Sequence, residues 1–223
     1  MKAVFFDLDN TLIDFMRMKK EACKAAVEAM LDVGLKMDRE EAYERLMKTY
    51  FDLGLESDRA FTEFLKRIGQ FDHKILAAAI NAYLKTKTDF VVPYPNVKSI
   101  LETLREKGII LIIVTDAPKT KAYQRLLLLG IEPYFAFVVG SEDTESKKQT
   151  GLPFRFALKK LENEFPGIEA SQILVVGDSV ERDIQPAKKL GFRTALCKYG
   201  QTDKENEKAD YELAEISDLI KLV

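Results

Sequence analysis

Acidic and hydroxyl side chains follow three short apolar runs of the sequence, at the points where these runs end. The segment Asp7–Thr11 follows the first run, and Thr115 and Asp116 follow the second. The third run precedes Gly177–Ser179, and Asp183 lies five residues after Asp178. If the runs are neighbouring parallel strands, their carboxylates meet at one sheet edge, where repulsion would raise their pKa values unless a cation binds. Oxygen ligands without His or Cys favour a hard ion, and Mg²⁺ suits such a site better than Ca²⁺.

The elements that must position these residues can be predicted from the hydrophobic pattern. Residues 3–6 are an apolar run rich in β-forming residues and predict a buried strand. From residue 109 onward, predicted strands alternate with predicted helices, which favours right-handed crossovers and a parallel sheet with both faces covered. The further strands are predicted at 109–114, 135–139, 173–176 and 193–197, the helices at 96–107, 119–129, 154–164, 184–190 and after Tyr211, and a charged loop at 201–208.

The segment between the first strand and the rest of the sheet has a different composition. Residues 15–90 are dominated by Ala, Glu, Lys, Leu and Met, and they contain no Pro. This composition predicts several consecutive helices, with breaks near Gly34, Gly54 and Gly69. We therefore expect an α/β core formed by residues 1–14 and 91–223, and an all-helical insert formed by residues 15–90.

Composition disfavours several classes of partner. With 34 basic and 36 acidic residues, the net charge of −2 provides no basic stripe that would attract a nucleic acid or an anionic membrane. The longest apolar stretch, residues 109–114, is far shorter than the roughly 20 residues that span a bilayer. Asp7 and Asp9 interrupt the apolar N-terminus before a signal peptide could develop. We expect a cytoplasmic protein without membrane or nucleic-acid partners, and we predict that Cys23 and Cys197 are buried thiols.

Four segments, in this order along the chain, resemble the four motifs of the haloacid dehalogenase (HAD) superfamily. They are Asp7–Leu12, Thr115, Lys148 and Gly177–Asp183. The resemblance covers the whole chain, because the helical insert after the first motif is similar to the mobile cap of subfamily I. It implies a Rossmann-like parallel-sheet core with an inserted α-helical cap, and a Mg²⁺-dependent phosphatase that acts on a phosphorylated small molecule.

The resemblance also implies catalytic roles. Asp7 would be the nucleophile that forms an aspartyl-phosphate, which divides one slow displacement into two easier steps. Asp9 would be the general acid and base, because it lies two residues along an extended segment and points the same way as Asp7. Lys148 would add positive charge near the phosphoryl group and Asp7.

Binding roles follow from the same resemblance. Backbone N–H groups near Thr115 would hold phosphoryl oxygens together with its hydroxyl. The implied phosphate-binding residues are Leu8, Thr115, Asp116 and Lys148. The implied metal site uses the carboxylates of Asp7 and Asp178 and the carbonyl of Asp9, while Asp183 would hold a metal-bound water or orient Lys148.

Two positions depart from the pattern of the family. Asp116 stands where the family usually has Asn, and we expect its carboxylate to point outward or to cap the helix that begins near Pro118. The lysine motif usually continues with Pro, whereas this chain has Lys147-Lys148-Gln149, so either lysine could occupy the site. We favour Lys148, because Phe154, six residues later, resembles the opening of the helix that follows in the family.

The sequence leaves other functions open. A phosphomutase would use the same residues and return the phosphoryl group to its substrate. A dehalogenase resembles this chain less, since it has no carboxylate at position 9. A non-catalytic receiver-like signalling module also uses Asp, Thr, Lys and Mg²⁺, but its phosphate-accepting Asp follows the third strand and it lacks an insert after the first. The identity of the substrate stays open, as does the choice between a monomer and a homodimer.

Overall fold

The computed structural model describes residues 1–201 and 208–223. Most of the charged loop predicted at 201–208 lies outside the described residues. The chain divides into two compact units. Met1–Asp14 and Pro93–Val223 form an α/β unit, and Phe15–Val92 form a helical unit.

Within the described part of the chain, the α/β unit is built on a six-stranded sheet, and all of its strand pairs are parallel. The spatial order is β3-β2-β1-β4-β5-β6, so the first strand of the chain lies at the centre. This confirms the predicted α/β class with a parallel sheet. The strands are β1 (Ala3–Phe6), β2 (Ile110–Val114), β3 (Phe137–Val139), β4 (Ile173–Gly177), β5 (Arg193–Cys197) and β6 (Tyr211–Leu213).

Both faces of the central strand are buried, which explains its uninterrupted apolar sequence. Successive side chains of a strand point to opposite faces, and all four residues of β1 are fully buried. On one face, Phe5 belongs to a hydrophobic cluster with Phe154 of the helix that follows β3 and with Ala187 of the helix that follows β4. The helices of this unit are α5 (Val97–Glu106), α6 (Lys119–Leu128), α7 (Leu152–Glu164) and α8 (Gln185–Lys189).

The helical unit has its own core. Its helices are α1 (Phe15–Asp32), α2 (Arg39–Leu53), α3 (Ala60–Arg67) and α4 (His73–Asp89). Two of these helices have an aspartate as their N-cap. The side chains of Asp38 and Asp72 accept hydrogen bonds from backbone N–H groups in the first turns of α2 and α4. The core contains Met30, Tyr50 and Phe64, each at most 2% exposed.

Two features of the α/β unit differ from the prediction. The helix predicted after Tyr211 is a 3₁₀ helix at Ile216–Leu222, and it is preceded by the strand β6, which begins at Tyr211 and was not predicted. The three residues of β6 carry too weak a pattern to predict, and they become a strand by pairing with the edge of β5. Strand β3 is shorter than predicted, since Glu132–Tyr134 form a 3₁₀ turn before it.

Both cysteines are free and buried, as predicted. Among residues 1–201 and 208–223, no helix is both long enough and apolar enough to cross a bilayer.

Candidate active site

The carboxyl ends of the three central strands bring the candidate residues together. Phe6 of β1 is in register with Ile113 of β2 and with Val176 of β4. Asp7, Thr115 and Asp178 therefore leave the sheet at the same edge, where open α/β sheets bind ligands. Asp7 is anchored there, because its backbone N–H donates to the carbonyl of Val176 at 2.9 Å.

Three carboxylates form a buried cluster at this edge. One oxygen each from Asp7, Asp178 and Asp183 lies within 4.8 Å of the others, and all three residues are buried. Burial, reinforced by the negative charge of Asp7, raises the pKa of Asp178 to about 8 and that of Asp183 to about 6. A cation that bound here would remove this penalty, and the all-oxygen donor set fits a hard divalent metal ion.

Lys148 lies inside the carboxylate cluster. Its Nζ donates to Oδ1 of Asp7 and to Oδ1 of Asp183, both at 2.5 Å, and the side chain is 1% exposed. Burial alone would lower the pKa of Lys148, but Asp183 and Asp7 raise it above its usual value and keep the ammonium charged. Lys147, the alternative in the sequence, is exposed.

The segment after Asp7 forms a tight turn beneath the cluster. The carbonyl of Leu8 accepts hydrogen bonds from the backbone N–H groups of Leu12 and Ile13, and Asn10 adopts a left-handed conformation with φ of 61°. The Thr11 hydroxyl, which this turn directs back toward the sheet, donates to Oδ2 of Asp7 at 3.3 Å. Both oxygens of the Asp7 carboxylate are therefore oriented by hydrogen bonds.

A loop after β5 packs against the same turn. The Tyr199 hydroxyl donates to the carbonyl of Thr11 at 2.8 Å, and the Tyr199 ring lies edge-to-face against Tyr94. Gly200 approaches so closely that a Cβ at this position would lie 1.7 Å from the carbonyl oxygen of Asn10. The backbone of the loop after β5 therefore packs directly against the backbone of the turn at Asn10.

Asp9 occupies a different environment from the other carboxylates. Its Oδ2 accepts a hydrogen bond from Nη1 of Arg125 on α6 at 2.9 Å. Burial raises the pKa of Asp9, and Arg125 only partly opposes this effect. A carboxyl group with a raised pKa keeps its proton to a higher pH than a free carboxyl group does, which favours the role of a general acid.

Asp116 does not take the position predicted for it. Its carboxylate neither caps α6 nor points away from the site, but accepts a hydrogen bond from the backbone N–H of Lys148 at 2.8 Å. The first turn of α6 instead uses Glu142, whose carboxylate accepts from the N–H of Lys119 at 2.9 Å. Pro118 is the N-cap residue of α6 and has no side-chain acceptor, and the Asp116 carboxylate contacts the loop that carries Lys148. The Thr115 hydroxyl, close by, accepts from the N–H of Ala117.

Asp183 reaches the cluster from a π-helical turn, Val180–Ile184, that precedes α8. Its Oδ2 accepts from the backbone N–H of Ser179 at 3.1 Å. The side chain lies so close to the end of β4 that a Cβ on Gly177 would come within 2.3 Å of it. Glycine at position 177 is therefore required for Asp183 to enter the site.

Two arginines of the site were missed from the sequence. Arg182 Nη2 lies 3.4 Å from both carboxylate oxygens of Asp178, and Arg125 pairs with Asp9. One signal could have revealed Arg125: it shares the buried face of α6 with Ala122 and Leu126, where helical periodicity predicts an apolar residue. Arg182 carries no such signal, since it is partly exposed and lies in an irregular turn.

Comparison with known proteins agrees with this geometry. A sequence model described as haloacid dehalogenase-like hydrolase matches residues 4–197. Glyceraldehyde 3-phosphate phosphatase of Methanocaldococcus jannaschii is 33% identical over 226 residues, which cover 100% of this chain and 97% of the relative. Phosphoglycolate phosphatase of Aquifex aeolicus is 30% identical over 223 residues, which cover 100% of this chain and 97% of the relative.

The fold has a counterpart among solved structures. The crystal structure of a HAD phosphatase from Thermococcus onnurineus superposes with a TM-score of 0.74 and 25% sequence identity, and the match covers 100% of this chain and 97% of that one. The named relatives are phosphatases, and the buried aspartate cluster fits both a metal ion and a catalytic aspartate. This chain belongs to the family of haloacid dehalogenase-like hydrolases.

Proposed function

We propose that this protein is a Mg²⁺-dependent phosphatase that hydrolyses a small phosphomonoester through an aspartyl-phosphate on Asp7. One observation carries the proposal: Asp7 lies with Asp178 and Asp183 in a buried carboxylate cluster, and the Lys148 ammonium is hydrogen-bonded inside it. A buried carboxylate that is oriented by a cation and lies beside a candidate metal site is arranged to attack phosphorus. The phosphatase names of the relatives support the same reaction.

In the first half of the proposed reaction, a carboxylate oxygen of Asp7 attacks phosphorus while the bond to the ester oxygen breaks. Lys148 and Thr11 hold the Asp7 carboxylate in one orientation through its two oxygens. The charge of Lys148 also reduces the repulsion between the carboxylates and an approaching phosphate dianion. We assign phosphate binding to Leu8, Thr115, Asp116 and Lys148. At Leu8 and Asp116, whose side chains are not donors, the backbone N–H groups would donate the hydrogen bonds.

Asp9 serves as the general acid and base in this proposal. In the first half it gives its proton to the departing alkoxide, and in the second half it takes a proton from the water that hydrolyses the aspartyl-phosphate. The raised pKa of Asp9 supports both steps, because it favours the protonated acid in the first half and makes the carboxylate a stronger base in the second half.

The residues that would hold Mg²⁺ are the Asp7 and Asp178 carboxylates and the Asp9 carbonyl. Asp183 would orient Lys148, to which it is already hydrogen-bonded, or would hold a metal-bound water. When bound, Mg²⁺ supplies positive charge that stabilises the phosphoryl group in the transition state. The choice of Mg²⁺ over Ca²⁺ rests on the small number of carboxylates, which leaves room for water and phosphate oxygens.

The relatives support a proposal for the substrate class. Glyceraldehyde 3-phosphate and phosphoglycolate, the substrates in their names, are both short-chain phosphomonoesters, and we propose a substrate of that size. We assign substrate selection to the helical insert, as a cap. The net charge of −2 supports a small phosphorylated molecule over a nucleic acid or a membrane surface as the partner. We also propose, from the sequence, that the protein is cytoplasmic and that its oligomeric state is a monomer or a homodimer.

The test is steady release of inorganic phosphate from glyceraldehyde 3-phosphate, phosphoglycolate and p-nitrophenyl phosphate. We expect turnover with Mg²⁺, loss of turnover with EDTA, and loss of turnover in Asp7→Asn. Asp32→Asn, at an exposed position near the end of α1, is the matched control and should keep full activity. Release of no phosphate from any of the three substrates would refute the proposal, and accumulation of a bisphosphate would indicate a phosphomutase.

A further inference from the structure

A carboxylate joins the loop that carries Lys148 to the end of β2. This loop connects β3 to α7, and Lys148 begins a 3₁₀ turn at Lys148–Thr150 near the end of the loop. The side chain of Lys147, the residue before the turn, does not cap it. Instead, Oδ1 of Asp116, two residues after the end of β2, accepts a hydrogen bond from the backbone N–H of Lys148 at 2.8 Å.

Hydrogen bonds within the turn set only its internal shape. The N–H of Thr150 donates to the carbonyl of Lys147 at 3.0 Å, and the N–H of Gly151 donates to the carbonyl of Lys148 at 2.8 Å. Because these bonds join residues of the turn to each other, they persist if the whole turn moves. The bond to Asp116 joins the turn to the sheet, so it fixes the Lys148 backbone relative to the strand ends of the site.

The position of this backbone matters because the Lys148 side chain bridges two carboxylates. Its Nζ lies 2.5 Å from an oxygen of Asp7 and 2.5 Å from an oxygen of Asp183. The side chain is 1% exposed, and a closely packed side chain has few other rotamers with which to compensate for a displaced backbone. A shift of about 1 Å would therefore break at least one of these contacts.

We propose that the Asp116 side chain is a positioning group for Lys148 in the proposed reaction. This role rests on the proposed phosphatase function, and it is separate from the phosphate binding that we assign to the backbone N–H of Asp116. The carboxylate holds the Lys148 backbone, and Lys148 then orients the Asp7 carboxylate for its attack on phosphorus. The Asp116 side chain touches no reacting atom and acts only through Lys148.

This role requires a hydrogen-bond acceptor and no negative charge. The side chain of Asn, which the family usually has at this position, offers a carbonyl oxygen at the same distance from the backbone. We therefore expect Asp116→Asn to keep the Lys148 loop in place. A carboxylate that acted through its charge would instead repel a phosphate dianion, and Asp116→Asn would then bind phosphorylated substrates more tightly.

A second carboxylate joins the same two segments and provides a matched control. Oε2 of Glu142, in the same loop, accepts from the backbone N–H of Lys119 at the start of α6 at 2.9 Å. Glu142 is exposed, and its contact does not involve Lys148. Glu142→Ala thus removes a bond of the same type between the same segments. It should lower the urea concentration at the unfolding midpoint and leave kcat unchanged.

The experiment measures kcat and KM for p-nitrophenyl phosphate with Mg²⁺ in the wild-type enzyme and three variants. For Asp116→Ala we expect kcat to fall roughly 100-fold, the cost of displacing a catalytic group by about 1 Å. Its KM should change by less than about 5-fold, because the backbone donors to phosphate remain. For Asp116→Asn we expect kcat within about 5-fold of wild type, since a neutral acceptor makes a weaker hydrogen bond than a carboxylate. Glu142→Ala is the third variant.

Three outcomes would overturn the inference. They are a wild-type kcat in Asp116→Ala, equal losses of kcat in Asp116→Ala and Glu142→Ala, and a loss in Asp116→Asn as large as in Asp116→Ala. If Asp116→Ala does not fold, as judged by circular dichroism, Asp116→Leu replaces it, because Leu has nearly the size of Asn and no acceptor. A wild-type enzyme that releases no phosphate would count against the proposed function itself, whereas the three outcomes in an active enzyme would count only against the role of Asp116.

Discussion

Replacement of Lys148 by Met tests how the carboxylate cluster is stabilised. The ammonium lies 2.5 Å from an oxygen of Asp7 and 2.5 Å from an oxygen of Asp183, at a position that is 1% exposed. Removing one partner of a buried ion pair destabilises a protein by about 3–5 kcal/mol, because the remaining charge is buried without compensation. We expect a loss of about that size at pH 8 in the absence of divalent metal.

The loss should depend on pH with a definite sign. Lys148 lowers the pKa of Asp183, so its removal raises that pKa further above the value in the unfolded chain. The folded variant then binds more protons than the unfolded chain, and its free energy of unfolding falls as the pH rises. Lys148→Met should therefore be closest to wild type near pH 5 and furthest from it near pH 8.

The assay is urea unfolding followed by far-UV circular dichroism in EDTA, at several pH values. Lys147→Met is the matched control, because it removes the same side chain from the exposed neighbouring position, and it should change the free energy of unfolding by less than about 0.5 kcal/mol. A Lys148→Met variant that loses less than about 1 kcal/mol at pH 8, or that matches Lys147→Met, would refute the reasoning.

Three further predictions concern the metal site and the turn after Asp7. Burial raises the pKa of Asp178 to about 8, and a protonated carboxyl group does not bind metal, so the rise in melting temperature on adding Mg²⁺ should grow from pH 6 to pH 8 and vanish in Asp178→Asn. Gly200→Ala places a Cβ 1.7 Å from the carbonyl oxygen of Asn10, and it should reduce both kcat and the free energy of unfolding, the latter by about 1–3 kcal/mol. Tyr199→Phe removes the hydrogen bond to the Thr11 carbonyl, and it should reduce the free energy of unfolding by about 1 kcal/mol in urea unfolding.

Each of these predictions can fail on its own. Mg²⁺ stabilisation that is constant with pH, or that survives in Asp178→Asn, would mean that this carboxylate is not a ligand. Wild-type activity in Gly200→Ala would show that the turn tolerates a shift of its backbone. An unchanged free energy of unfolding in Tyr199→Phe would show that water replaces the lost hydrogen bond.

The order of elements could be predicted because each is encoded locally. The apolar run of β1 is terminated by Asp7, and the strands from β2 onward alternate with helices, so the parallel sheet follows from periodicity and chain order alone. The breaks near Gly34, Gly54 and Gly69 likewise separate helices that end at Asp32, Leu53 and Arg67. The edge strand β6 escaped prediction because its three residues become a strand only by pairing with β5.

The set of carboxylates and the sheet edge where they meet could be predicted from the amino-acid sequence, because strand ends are visible in the hydrophobic pattern and parallel strands share their polarity. The spacing to Phe154 favoured Lys148 over Lys147, but these neighbours have identical chemistry, and the fold separates them by burying Lys148 and leaving Lys147 exposed. The fold also directed Asp116 to the backbone of Lys148 and brought Arg125 to Asp9. The first contact spans 32 positions of the sequence and the second spans 116. A local sequence pattern holds no information about which distant side chains come into contact when the core packs.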